Sequence, residues 1–196
     1  MRPSVIVGAG VVAALNFGKL PPALPALQAE FGLSLVQVSW MVSLFMIASA
    51  LMGIAGGSIA DRFDPRRVMV CGLLLMASSS AAGAMASTPA VLFASRAFES
   101  LGFLLTVLPG PALLRACLPT QSLRGWLGFW GAYMPAGMSA ALIATPWLMT
   151  AGGWRAAWWA VTAMALLWAA MIGGARSSRP VAVGCSSDAT GAQQPT

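Results

Sequence analysis

The stretch Gly56-Gly57-Ser58-Ile59-Ala60-Asp61-Arg62-Phe63-Asp64-Pro65-Arg66-Arg67 concentrates charge in a chain that otherwise carries almost none. Long apolar segments flank it on both sides, so the loop must turn the chain at a membrane face, where its charges stay hydrated. Composition agrees. Of 196 residues, 58% are hydrophobic and 8% charged, far from the balance of a soluble domain, where about a quarter are charged.

Six spans can be marked, each near the roughly 20 residues that cross a bilayer core. They run Val5 to Leu27, Val36 to Ala60, Val68 to Ala86, Val91 to Leu114, Trp126 to Met149 and Trp154 to Ile172. Connections at Gln28 to Ser34, Ser87 to Ala90, Arg115 to Gly125 and Thr150 to Gly153 are short, which makes neighbouring helices antiparallel. A six-helix domain over residues 1–176 is therefore expected. The Ser-, Gly- and Thr-containing tail 177–196 is too polar to build a core and is expected to be a disordered cytoplasmic tail.

Arg2, Arg62, Arg66, Arg67, Arg115, Arg124, Arg176 and Arg179 fall at the N-terminus, in alternate loops or in the tail. Arg155 alone lies at an opposite end. The positive-inside bias puts both termini and the charged loop in the cytoplasm, as in a multi-pass protein of a bacterial inner membrane. The first span is read as a retained helix rather than a cleaved leader, because it is long, holds Lys19 and Pro21-Pro22, and spaces Ala23, Ala26 and Ala29 every three residues.

Several function classes drop out. The net charge of +6 comes from single or paired basic residues between apolar runs, which form no nucleic-acid-binding face. The absence of histidine removes Ser-His and Cys-His nucleophiles and histidine metal sites. Cys71, Cys117 and Cys185 lie far apart and read as small core residues rather than a disulfide or metal set. Neither an enzyme, a metal nor a cofactor is expected; the lipid bilayer is the expected partner.

Charges inside spans are costly and mark function by default, at about 2.5 to 3.5 kcal/mol each on insertion scales. Lys19 follows Asn16 and precedes Pro21-Pro22, whose missing donors leave carbonyls free beside a polar cavity; snorkelling to the outer interface is the alternative. Arg96 and Glu99, three apart, share a helix face and can pair, either at a substrate or as a neutral helix lock. Trp130 and Tyr133, around Gly131 and before Pro135, could line a cavity or simply pack. The small residues Gly53, Gly56, Gly57, Ser78 to Ser80, Gly83, Gly131, Gly137 and Ala140 are read as helix-packing contacts.

The loop, with Gly57, Asp61, Arg62, Arg66 and Arg67, resembles the cytoplasmic signature of the major facilitator superfamily. Asp64 stands where that signature has its second glycine, and Pro65 where it has a basic residue. Arg96 to Gly102 is similar to the family's fourth-helix signature, with Glu99 for glutamine and Ser100 for glycine. Arg96, Glu99 and the following Gly102-Phe103 look more like a branch that includes cyanate-type permeases, as does the fifth-helix arrangement Trp130-Gly131, Tyr133, Pro135, Gly137. The drug-antiporter signature of that helix is missing.

The resemblance implies an all-α membrane protein, six transmembrane helices forming two inverted three-helix repeats: half of a major facilitator fold. It implies secondary transport of a small, anionic solute by alternating access, with Lys19, Asn16, Arg96, Glu99, Trp130 and Tyr133 as substrate or coupling candidates and a proton as candidate coupling ion. The loop residues Gly57, Asp61, Arg62, Arg66 and Arg67 would form a cytoplasmic gate. A missing C-terminal half or a second copy would complete the cavity. The alternatives are a truncated membrane remnant or assembly partner that carries nothing, and drug or metabolite efflux.

Overall fold

The structure, a computed structural model, describes residues 2–60 and 63–174, by backbone alone at 48–49 and 51–60. Among the described residues every regular element is an α-helix. They are α1 (Pro3–Gly18), α2 (Leu20–Phe31), α3 (Leu35–Ala60), α4 (Pro65–Ala84), α5 (Pro89–Val107), α6 (Gly110–Cys117), α7 (Thr120–Gly131) and α8 (Tyr133–Gly174).

Helix pairs combine into longer stretches. α1 and α2 meet at Lys19, where Pro21 and Pro22 cannot donate to the preceding turn. α5 and α6 meet at Leu108-Pro109 in the same way. Four stretches, Pro3–Phe31, Pro65–Ala84, Pro89–Cys117 and Thr120–Gly174, are long and apolar enough to cross a membrane, and Leu35–Ile47 is a shorter apolar one. The 55-residue stretch Thr120–Gly174 exceeds a single crossing of about 20 residues. It breaks at Gly152-Gly153, where Gly153 has φ 64°, a left-handed conformation that favours glycine.

The two arms of α8 run in opposite directions along α1 and α2. In the first arm Tyr133 lies against Gly10, and Met138 and Ala141 against Gly18, so residue numbers rise together. In the second, Trp154 reaches Glu30 while Trp168 reaches Gly8, so they run oppositely. α4 and α5 are antiparallel: Gly72 lies against Thr106, and Gly83 against Ser95.

Helix ends differ most from the sequence expectation between α6 and α7. The expected connection from Arg115 to Gly125 shrinks to Leu118-Pro119, because α6 continues to Cys117 and α7 starts at Thr120. These outer turns are polar, so hydropathy ends the span before the helix ends. α2 also runs on to Phe31, four residues past the expected Leu27, and α4 starts at Pro65, three before the expected Val68; the remaining ends lie within about two residues of expectation. Asp64 and Pro65 form a helix start: the Asp64 carboxylate accepts from the Arg66 backbone N–H at 3.1 Å and Pro65 occupies the first turn. Their departure from the family's loop pattern thus has a local structural reason.

The core falls into two apolar clusters. One joins Ile6 to Ala13, Met69 to Ala77, Phe103 and Ala165 to Ile172; the other joins Leu20 to Leu27, Leu92 and Trp154 to Trp158. Between them, at mid-height, Asn16, Lys19, Ser80, Arg96 and Glu99 are all buried. The expected tail from residue 177, and Asp61 and Arg62 of the charged loop, lie outside the described residues.

Candidate functional site, a buried charge cluster

Glu99 is the hub of the mid-height layer. Its Oε1 accepts from Lys19 Nζ at 2.8 Å, and its Oε2 from Arg96 Nη1 one helical turn away. Lys19 Nζ also donates to Ser80 Oγ at 2.8 Å and lies 4.5 Å from the ring centre of Trp158. Ser80 Oγ in turn donates to the Trp158 carbonyl at 3.0 Å. Four helices therefore converge on one carboxylate and one ammonium.

Lys19 and Arg96 are no more than 1% exposed. Lys19 therefore does not snorkel. An interior ion pair with both carboxylate oxygens engaged offsets part of the desolvation of its members, but only while all partners remain. Two cations face one carboxylate here. Arg96 also donates weakly to the Asn16 carbonyl, at 3.4 Å, and its guanidinium stands 5.4 Å from the Phe45 ring. Its Nε and Nη2, and both polar side-chain atoms of Asn16, have no hydrogen-bond partner among the described residues despite complete burial.

Trp130 and Tyr133 sit elsewhere. Their rings lie 4.9 Å apart and pack against Gly10, with Trp130 also against Gly110. Gly10 is nine residues before Lys19, about 13 Å along a helix at 1.5 Å per residue. The aromatic pair thus belongs to the adjoining apolar cluster rather than to the charge layer. Three surface hollows, lined by Leu35 to Ile47, by Cys71 to Leu166 and by Phe63 to Leu105, also involve none of the charged trio.

In the charged loop, Arg66 donates through Nε and Nη2 to the Ile172 carbonyl, at 2.9 and 2.6 Å, and through Nη2 to Gly173 at 3.1 Å. A cation here meets the negative end of α8. Arg67 is exposed, in a loose 3.9 Å pair with Asp64. Gly57 lies in α3.

At the opposite end, Glu30 accepts from Arg155 at 2.7 Å and from Trp154 Nε1 at 2.6 Å, and Arg155 donates to the Ala86 carbonyl at 3.1 Å. Sequence reasoning does not reach Glu30, and it takes Ser80 only as a helix-packing residue. The serine run 78–80 was readable only as packing, although a hydroxyl on a buried face is also a donor and acceptor.

The model of the Major Facilitator Superfamily matches residues 6–194. The chain belongs to that superfamily. It is 29% identical over 153 residues to the puromycin resistance protein pur8 of Streptomyces alboniger, covering 77% of this chain and 30% of that protein. It is equally 29% identical over 153 residues to the tetracenomycin C resistance and export protein of Streptomyces glaucescens, covering 78% of this chain and 28% of that one. The fold matches the proton:xylose symporter XylE bound to 6-bromo-6-deoxy-D-glucose, with TM-score 0.78 and 16% identity over 88% of this chain and 43% of that one. It also matches a bacterial homologue of the human lysosomal transporter Spinster in an inward-facing, unoccupied conformation, with TM-score 0.70 and 20% identity over 87% and 42%. The chain thus spans under a third of those curated relatives and under half of those solved chains. These family members and neighbours are transporters, and this superfamily chain is a multi-pass membrane protein.

Proposed function

We propose that this chain is the N-terminal half of a secondary active transporter that moves a small anionic solute by alternating access. The observation that carries the reading is the mid-height cluster, in which Lys19 and Arg96 outnumber the one carboxylate that holds them. A membrane interior tolerates such an excess poorly unless an anion or a proton exchange makes use of it. Asn16 completes the candidate solute contacts; Trp130 and Tyr133 are kept as candidates in the adjoining layer, and Glu99 as the candidate carrier of a coupling proton.

Six crossings in two inverted three-helix repeats fit the chain. Pro3–Phe31 and Pro89–Cys117 are each 29 residues long, each is interrupted, and together they hold all three buried charges. Broken helices at the start of each repeat are the usual place for a midplane site. The break at Gly153 supports two crossings within Thr120–Gly174. The arginine distribution supports an inner-membrane protein with both termini cytoplasmic, and Gly57, Asp61, Arg62, Arg66 and Arg67 as a cytoplasmic gate. A second half, or a second copy of this chain, would supply the facing wall.

The resemblance of Arg96 to Phe103 to cyanate-type permeases rests on those residues and supports an anion. The names of the two Streptomyces relatives favour export, despite the missing drug-antiporter signature. Both are compatible with outward movement of an organic anion.

Flux tests this. Purified chain in proteoliposomes, with its oligomeric state measured by mass, is expected to show saturable exchange of labelled acetate or benzoate that Arg96→Lys and Glu99→Gln reduce at least tenfold. Flux equal to that of empty vesicles from a specific dimer would overturn self-sufficient transport and leave the reading of an assembly partner or an inactive remnant.

A further inference from the structure

Four polar atoms without a partner among the described residues lie in one buried neighbourhood. They are Arg96 Nε and Nη2 and the two side-chain atoms of Asn16, and the Arg96–Asn16 carbonyl contact ties the two residues together. The Nε–Nη2 edge of a guanidinium is a fork of two parallel donors that suits a carboxylate or another small oxyanion. Glu99 uses Nη1 and leaves that edge free. The layer also carries one positive charge more than its carboxylate neutralises. The other carboxylates with described side chains, Glu30 and Asp64, sit at the end of α2 and just before α4 and are part-exposed or exposed, so no further carboxylate in the described core balances it.

We propose that the free edge of Arg96, with the Asn16 amide as third donor, binds one small monovalent anion inside the helix bundle. One charge is the number that balances Lys19 and Arg96 against Glu99. Burial excludes a large or strongly hydrated anion. Lys19 is not part of this position, because its ammonium is spent on Glu99, Ser80 and the Trp158 ring. The site rests on the same cluster as the transport reading but does not require transport: a resident inorganic anion and the carboxylate of a carried solute would use the same donors.

Thermal unfolding of the full chain in detergent tests it, in sodium chloride, nitrate, formate or acetate against sodium gluconate and sulfate at constant ionic strength. The expected result is a saturable rise in midpoint of about 5 °C or more at a hundredfold excess over Kd for the small monovalent anions alone. Asn16→Leu and Arg96→Lys abolish the rise, since lysine cannot present a two-donor edge; Arg124→Gln, on the surface, retains it. Glu99→Gln strengthens it by raising the excess charge. Equal midpoints in all salts, or a rise that survives Asn16→Leu, would overturn the proposal. Should Arg96→Lys fail to fold, Asn16→Leu decides. Labelled formate flux in vesicles then separates the sources: binding with flux makes the anion cargo, and binding without it makes the anion resident, the site standing in either case.

Discussion

Two carboxylates in this molecule are each shared by two donors from elsewhere in the chain, and they differ in nearly everything else. Glu99 is fully buried among Lys19, Arg96 and the apolar clusters; Glu30 and Arg155, with Trp154, are 38% and 40% exposed at the turns. Contact lengths are alike, near 2.8 Å for Lys19–Glu99 and 2.7 Å for Arg155–Glu30. Distance therefore says little about consequence. The surrounding medium decides, because an interior charge stripped of its partner has no water to fall back on, while an exposed one is rehydrated and screened by salt.

The comparison breaks first at Glu99. Glu99→Leu is expected to cost about 3–5 kcal/mol by leaving two cations buried without a counter-charge, seen as collapse of folded yield and a lower unfolding midpoint. Replacing Lys19, Arg96 and Glu99 together by Met, Leu and Leu should recover much of that stability. A triple variant as unstable as Glu99→Leu would show that the trio supports the fold through shape rather than charge.

A middle-sized effect sharpens the surrounding frame. The layer can form only because α4 and α5 approach closely. A Cβ on Gly102 would lie 2.7 Å from Met76 N and one on Gly72 2.6 Å from Thr106 N, both main-chain atoms that cannot swing aside. Gly102→Val is expected to cost about 1–3 kcal/mol or more by forcing the helices apart, and to weaken the small-anion effect with it. Unfolding curves with and without chloride measure both.

The smallest effect is at the rim. Arg155→Gln should cost under about 1 kcal/mol after discounting for exposure, and the loss should shrink as salt rises from 0.05 to about 0.5 M. A salt-independent loss as large as that of Glu99→Leu would erase the contrast between the two sites.

Much of this was legible in the chain. Apolar run lengths marked the helices, Pro21-Pro22 and Gly152-Gly153 marked breaks, and the spacing of Arg96 and Glu99 gave their pair, since three residues along a helix is a local relation. The arginines of the charged loop and the family resemblance pointed to a transporter, and the superfamily match agrees. What stayed hidden was non-local. Lys19 and Glu99 are 80 positions apart, Lys19 and Ser80 61, and Glu30 and Trp154 124.

Sequence by itself determined that this chain is a bundle of apolar helices with charges at its turns and three inside, because hydropathy, proline and glycine act on the backbone locally. Only tertiary structure decided that the three inner charges share one carboxylate, that Trp130 and Tyr133 stand a layer away, and that the free edge of Arg96 lies beside Asn16. Those outcomes depend on which helix faces meet, and helix packing sets them through close approach at Gly72, Gly83, Gly102 and Gly137.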